Sequence, residues 1–123
     1  MHHSPGFLKL VDDAKSRIQQ IDIEGYKKMV AAGEAHVLVD TREDHEWDKG
    51  RAAGAVHLSR GIIERDIEAK YPDKETPLVL YCGGGYRSAL AAESLQKMGY
   101  TNVMSMDGGW RGWTDAGYPT VTD

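Results

Sequence analysis

The residues that could do chemistry are concentrated in one loop, which begins at Cys82, the single cysteine of the chain. An apolar run at residues 78–81 precedes it, and a helical pattern begins at about residue 87. Between them lie three glycines, whose missing side chains let consecutive backbone N–H groups turn toward an anion. The start of the helix adds partial positive charge at the same point. The sequence therefore predicts an anion-binding loop with a thiol at its first position.

Cys82 is a candidate nucleophile because this loop favours the thiolate form of its side chain. The thiolate is the reactive species, and helix N-termini and neighbouring cations stabilise it. Here the predicted helix start, the loop amides and the guanidinium of Arg87 act in the same direction. The alternative is an inert buried cysteine, which behaves as a small apolar residue. We predict that Cys82 is catalytic, with its sulfur ionised and exposed at the centre of the loop.

Short apolar runs alternate with helical patterns along the chain, which indicates a parallel sheet covered by helices on both faces. In such sheets ligands bind beyond the carboxyl ends of the strands. Asp40 and Arg42 follow one predicted strand, and Asp107 follows another. We therefore expect an α/β fold with about five parallel strands, whose ends bring these residues to the Cys82 loop. Asp40 and Asp107 are expected to support the site.

The first 20 residues predict a helix that packs on the outside of the domain formed by residues 21–123. Apolar residues recur at helical spacing over residues 5–18. Ser4 and Pro5 make a favourable start, because a serine hydroxyl caps a helix and proline suits its first position. Ile21 is expected in a short edge strand.

The composition excludes several classes of function. The net charge of −4 argues against binding to nucleic acid or to an anionic membrane surface. No apolar stretch approaches the roughly 18 residues of a membrane span, and no secretory signal is visible. A single thiol cannot form an internal disulfide and suits a reducing compartment. We expect a cytoplasmic monomer without a metal or organic cofactor, since no pair of histidines has a metal-ligand spacing.

The loop resembles the active-site loop of the rhodanese family of sulfurtransferases, which has the spacing Cys-x4-Arg-Ser. Three further segments look like family motifs in the right order, namely a strand ending in Asp-x-Arg, a Gly-His-Ile-Pro-Gly-Ala segment and a Gly-Gly-Trp helix entry. They are residues 37–43, 50–58 and 107–113. Arg51 and Ala53 replace the usual His and Pro. With a C-terminal Gly-x-Pro, the resemblance covers about residues 21–120.

The resemblance implies a single-domain rhodanese. Cys82 would take sulfane sulfur from thiosulfate or a persulfide, hold it as a cysteine persulfide and pass it to cyanide or a thiol. The substrate would be a small sulfur-containing anion, with a sulfur-donor or sulfur-acceptor protein as a further partner. The predicted substrate-binding residues are Gly83, Gly84, Gly85, Tyr86, Arg87, Ser88 and Arg42. Arg60 is a further candidate, and Tyr86 either gates the pocket or fills surface.

Two other functions stay open at this point. Related phosphatases and arsenate reductases use the same scaffold, but phosphatase loops have the spacing Cys-x5-Arg and usually a histidine before the cysteine. This chain has Cys-x4-Arg and Tyr81, which favours sulfur transfer over phosphoryl transfer. The third function is a carrier or protein-binding module that hands its persulfide to a dedicated partner without multiple turnover.

Overall fold

The computed structural model describes residues 3–122, so residues 1–2 and 123, at the ends of the two predicted segments, lie outside the described residues. The helices are α1 (Pro5–Lys15), α2 (Ile23–Ala31), α3 (Asp44–Lys49), α4 (Ile63–Lys70), α5 (Arg87–Lys97) and α6 (Gly109–Asp115). The strands are β1 (Gln19–Ile21), β2 (Val37–Asp40), β3 (Arg51–Ala52), β4 (Val56–His57), β5 (Leu78–Tyr81), β6 (Val103–Met106) and β7 (Thr120–Val121).

Five of the strands form one parallel sheet in the order β1-β6-β5-β2-β4. The central strand β5 pairs with β2 on one side and β6 on the other, with Leu80 opposite both Val39 and Ser105. All four residues of β5 are buried, as expected for a strand covered on both faces. The predicted α/β fold with a five-stranded parallel sheet is confirmed.

The side chains of alternate β5 residues pack into two separate hydrophobic cores. Leu78 and Leu80 pack with buried residues of α4 and α5, whereas Val79 and Tyr81 pack with buried residues of α2 and α6. Successive strand side chains point to opposite faces, so each face receives its own helical layer. This packing fixes the position and direction of the end of β5, which Cys82 follows.

Helix α1 lies against α5 and buries Val11 and Ala14. It ends at Lys15, three residues before the predicted end, and Pro5 stands at its start. The hydroxyl of Ser4 makes no capping hydrogen bond, contrary to the prediction. Strand β1 is the predicted edge strand, and it spans the predicted segment boundary at residues 20 and 21. No helix within residues 3–122 has both the length and the apolar character needed to cross a membrane.

A small antiparallel ribbon, β3 with β7, was not predicted. Its strands have two residues each, which is too short to show an alternating pattern. The backbone N–H of Ala52 in β3 donates to the hydroxyl of Tyr81, 3.1 Å away. The ribbon is thereby tied to the strand that leads into the Cys82 loop.

Candidate active site

Cys82 directly follows strand β5, at the end of the sheet where the other parallel strands also have their carboxyl ends. The chain then turns through three glycines before α5 begins at Arg87. The N–H of Gly85 donates to the sulfur of Cys82 over 3.2 Å. Gly85 has φ +98°, and a Cβ there would lie 3.3 Å from the carbonyl oxygen of Met106. Glycine is therefore required to aim this amide at the sulfur.

The predicted exposure of Cys82 is wrong, because the side chain is buried, with 1% of the residue accessible to solvent. The residue nevertheless lines a cavity of about 440 Å³, so its sulfur lies at the floor of a pocket. The Gly85 amide and the Arg87 guanidinium lie beside the sulfur. The sulfur is therefore buried, but it keeps a hydrogen-bond donor and a cation beside it, as an anion requires.

The N-terminus of α6 is fastened to the Cys82 loop by its backbone. The N–H of Trp110 donates to the carbonyl of Cys82 at 2.6 Å, and the N–H of Arg111 donates to Gly83 at 3.1 Å. Gly109 allows this approach, since a Cβ there would lie 2.3 Å from the carbonyl oxygen of Cys82. Its φ of +49° is also in the region that favours glycine.

Arg87 reaches into the cavity and forms a bidentate ion pair with Glu46 of α3, which sequence reasoning missed. The two nitrogen–oxygen distances are 2.7 and 3.2 Å. Gly83 leaves room for the guanidinium, because a Cβ there would lie 3.1 Å from its Nη2. The hydrogen bond from Arg87 lowers the pKa of Glu46 to about 2, against an ordinary value of 4.5. Glu46 is therefore an anion at neutral pH.

The charge of Arg87 is held in place from two sides. Its pKa is raised, chiefly by the hydrogen bond to Glu46, and burial opposes this effect. The nearby Cys82 sulfur contributes in the same direction as Glu46. An anionic ligand that enters the cavity meets a guanidinium that already has a carboxylate partner.

Asp40 and Arg42 form a second ion pair, and this one is sealed inside the protein. Asp40 accepts from Arg42 at 2.7–3.0 Å and from the hydroxyl of Tyr81 at 2.6 Å. Arg42 also donates to the carbonyl of Gly50 and stacks on Trp110, with 4.5 Å between its Cζ and the ring centre. Burial is the largest single influence on the pKa of Arg42 and lowers it, but the hydrogen bonds to Asp40 and the charge of that carboxylate together leave the pKa raised. Arg42 does not line the cavity, which corrects its predicted substrate-binding position.

Three other predicted residues also lie away from the sulfur. The hydroxyl of Ser88 hydrogen-bonds that of Ser105 in β6 at 2.8 Å, because this side of α5 faces the sheet. Only the backbone of Ser88 is therefore available for the predicted role in substrate binding. The side chain of Asp107 is 61% exposed and lies 3.8 Å from Lys15. Arg60 pairs with Glu64 and does not line the cavity.

Two groups of side chains line the cavity around Cys82. Among them are Tyr86, Gly83, Gly84 and Arg87, four of the residues that the sequence predicts to bind substrate. The lining residues that sequence reasoning missed are His3, Phe7, Glu43, His45, Glu46 and Arg111. A capping-box spacing links Glu43 and Glu46, and this was the available signal for the turn that carries them. Within residues 3–122 no group of three or more His, Cys, Asp or Glu could hold a metal ion.

Comparison with known proteins gives one consistent family. The family model of the Rhodanese-like domain matches residues 22–116. Thiosulfate sulfurtransferase GlpE of Actinobacillus succinogenes is 36% identical over 86 residues, which are 70% of this chain and 76% of that protein. A Bacillus subtilis protein named as a putative sulfur carrier, YrkF, is 31% identical over 99 residues, covering 80% of this chain. The chain spans about half of YrkF, 52% of its length.

A solved structure from Rhodopseudomonas palustris matches nearly the whole chain. It is described as a protein of unknown function and a possible tyrosine phosphatase. The two chains are 32% identical with a TM-score of 0.81, and the match covers 97% of this chain and 96% of the other. Because the coverage is almost complete, the similarity includes α1 as well as the parallel sheet.

Proposed function

The chain belongs to the rhodanese-like family, and from this premise we propose that it is a sulfurtransferase that carries sulfane sulfur on Cys82. The donor is thiosulfate or a persulfide, and the acceptor is cyanide or a thiol. The observation that carries the proposal is the position of the Cys82 sulfur, which lies at the floor of a cavity with the Gly85 amide 3.2 Å away and the Arg87 guanidinium beside it.

In the loading step the thiolate of Cys82 attacks the outer sulfur of thiosulfate. A new S–S bond forms to Cys82, the S–S bond within thiosulfate breaks, and sulfite leaves with its electron pair. The enzyme persulfide keeps one negative charge, and no outside oxidant or reductant is needed. The Gly85 amide and the loop around it stabilise the anionic sulfur species.

In the discharge step the acceptor attacks the outer sulfur of the persulfide. With cyanide, a C–S bond forms, the persulfide S–S bond breaks, and thiocyanate departs. The electron pair of the broken bond returns to the sulfur of Cys82. The Gly85 amide and the Arg87 guanidinium beside this sulfur stabilise the negative charge that it receives, so Cys82 is a good leaving group in this step.

Steady-state assays with two substrates test this proposal. Thiocyanate formation from thiosulfate and cyanide is expected for the wild type and absent for Cys82→Ser, while hydrolysis of p-nitrophenyl phosphate stays at background. Rapid, Cys82-dependent phosphate release without thiocyanate formation would overturn the proposal in favour of phosphatase chemistry. That alternative is supported by the description of the R. palustris protein.

A sulfur-carrier function is the second candidate, favoured by the similarity to YrkF. A carrier would accept sulfur from a persulfidated cysteine desulfurase faster than from thiosulfate and would deliver it to a protein. Radiolabelled sulfur moving from the desulfurase to Cys82, with slow thiosulfate turnover, would support the carrier.

We also propose that the protein is a monomer and that it works in a reducing compartment. Light scattering of the purified protein tests the oligomeric state.

A further inference from the structure

We propose that the N-terminal segment completes the active site, with Phe7 of α1 and Tyr86 of the loop forming an aromatic wall that selects organic thiols with an apolar body as sulfur acceptors. The inference rests on the proposed function, because it assigns the acceptor of the Cys82 persulfide. It goes further because it adds to the active site Phe7, a residue that precedes the family match at residues 22–116.

The rings of Phe7 and Tyr86 form the wall, and the ring of His3 lies against both of them. The ring of His3 contacts that of Tyr86 edge-on, with 4.5 Å between centroids. The ring of Phe7 lies 5.3 Å from His3 and 6.1 Å from Tyr86. These separations are in the range at which aromatic rings attract one another. All three residues line the cavity that has Cys82 at its floor.

The wall is held in place by the packing of α1. Val11 and Ala14, one and two turns beyond Phe7, are buried with 0% and 1% of their surface exposed. Lys15, at the end of the same helix, lies 5.1 Å from the centre of the Tyr86 ring. Phe7 is therefore anchored by its own helix, and Tyr86 is contacted by two parts of that helix.

The cavity is larger and more apolar on this side than thiosulfate or cyanide requires. Its volume of about 440 Å³ lies within the roughly 300–1,000 Å³ of pockets that bind organic ligands. A small inorganic anion at the floor would leave the rings without a contact. An alkyl group attached to the reacting sulfur would instead extend from Cys82 along Phe7 and Tyr86.

The reaction at this wall is a simple exchange at sulfur. The acceptor thiolate attacks the outer sulfur of the Cys82 persulfide and forms a new S–S bond. The bond between the outer sulfur and Cys82 breaks, and its electron pair stays on Cys82 as a thiolate. The product is the persulfide of the acceptor, and the proton lost from the acceptor thiol goes to solvent.

The test is a single-turnover discharge of protein loaded with thiosulfate and then desalted. Linear alkyl thiols from ethanethiol to hexanethiol are compared with cyanide, and the loss of the added sulfur is followed by intact-mass spectrometry. In the wild type the rate constant should rise by up to about fourfold for each methylene that contacts the wall. In Phe7→Ala and Tyr86→Ala the rate constant should rise less with chain length. The rate constant for hexanethiol should therefore fall about tenfold and that for cyanide much less.

The matched control is Leu10→Ala, which removes a 55% exposed apolar side chain from the same helix outside the cavity. It should keep the wild-type dependence on chain length. Melting temperatures show whether Phe7→Ala remains folded, and Phe7→Leu is a milder variant that should give an intermediate slope. A wild-type rate independent of chain length, or equal losses for hexanethiol and cyanide in both wall variants, would overturn the inference. Failure to load Cys82 with thiosulfate and with persulfide donors would instead refute the proposed function.

Discussion

Two arginine–carboxylate pairs stand near the carboxyl ends of neighbouring strands, and they differ in almost every physical respect. In the pair formed by Arg42 and Asp40, the side chains are 3% and 0% exposed. In the pair formed by Arg87 and Glu46, they are 30% and 29% exposed. The first pair has further partners in Tyr81 and the carbonyl of Gly50, whereas the second borders the cavity above Cys82.

The difference shows that a charged residue at a strand end is not by itself a substrate ligand. The donors of Arg42 are occupied by partners that cannot leave without unfolding the local structure. Glu46 lies on a short surface helix, so Arg87 can exchange this carboxylate partner for an entering anion. We therefore propose a structural role for the buried pair and anion binding by the Arg87 guanidinium of the cavity pair.

Breaking the buried pair should have the largest effect. Arg42→Met leaves Asp40 buried with no compensating charge, so we expect the free energy of unfolding in urea to fall by about 3–5 kcal/mol. The matched control is Arg65→Met, which removes the 74% exposed partner of Asp66 and should leave stability nearly unchanged. Equal effects of the two substitutions would remove the distinction between the pairs.

Breaking the cavity pair should reduce activity rather than stability. Arg87→Met is expected to lower kcat/KM for thiosulfate by about 10²–10³-fold, the usual effect of removing one preorganised group that stabilises developing charge. Urea denaturation should show a much smaller change than for Arg42→Met. Arg87→Lys keeps the charge but loses the bidentate geometry, so its activity should lie between those of the wild type and Arg87→Met. An unchanged KM and turnover for Arg87→Met would contradict the assignment.

Removing the negative charge opposite Arg87 should improve substrate binding. In Glu46→Gln the guanidinium no longer has an anionic partner, and we expect the KM for thiosulfate to fall by about fivefold. Asp44→Asn is a suitable control, because it removes one charge from the 90% exposed side chain of a residue on the same helix. A higher KM for Glu46→Gln would mean that Glu46 positions Arg87 instead of competing for it.

The smallest expected effect is on acid stability. The pKa of Glu46 is about 2 in the folded protein and 4.5 ordinarily, so the folded state favours its charged form. This contribution is complete above about pH 4.5 and is lost as the pH falls toward 2. The free energy of unfolding of the wild type should therefore fall more steeply over this range than that of Glu46→Gln, by about 1 kcal/mol in total. Parallel curves for the two proteins would contradict the assigned pKa.

The sequence allowed the parallel sheet and the Cys82 loop to be predicted, because both depend on local patterns. Four apolar residues, a cysteine, three glycines and a helix start define β5, the loop and α5 without reference to the rest of the chain. The outcome for Ser88 was different, because its direction depends on the rotation of α5 against β6. That rotation is set by tertiary packing and leaves no sign in the loop sequence.

The side chains facing the loop could not be predicted for a related reason. Glu46 meets Arg87 only because α3 folds back after β2, 41 residues earlier in the chain. Phe7 reaches the cavity because α1 packs against α5. Long-range contacts of this kind follow from the relative placement of helices, which a single sequence does not encode in any local pattern.

The central claim is that Cys82 holds a sulfur atom taken from a donor. The most direct measurement is the intact mass of the wild-type protein after treatment with thiosulfate and removal of excess reagent. We expect a mass increase of one sulfur atom, which cyanide removes and which Cys82→Ser does not show. An unmodified wild-type mass with every sulfane donor offered, or the same increase in Cys82→Ser, would contradict it.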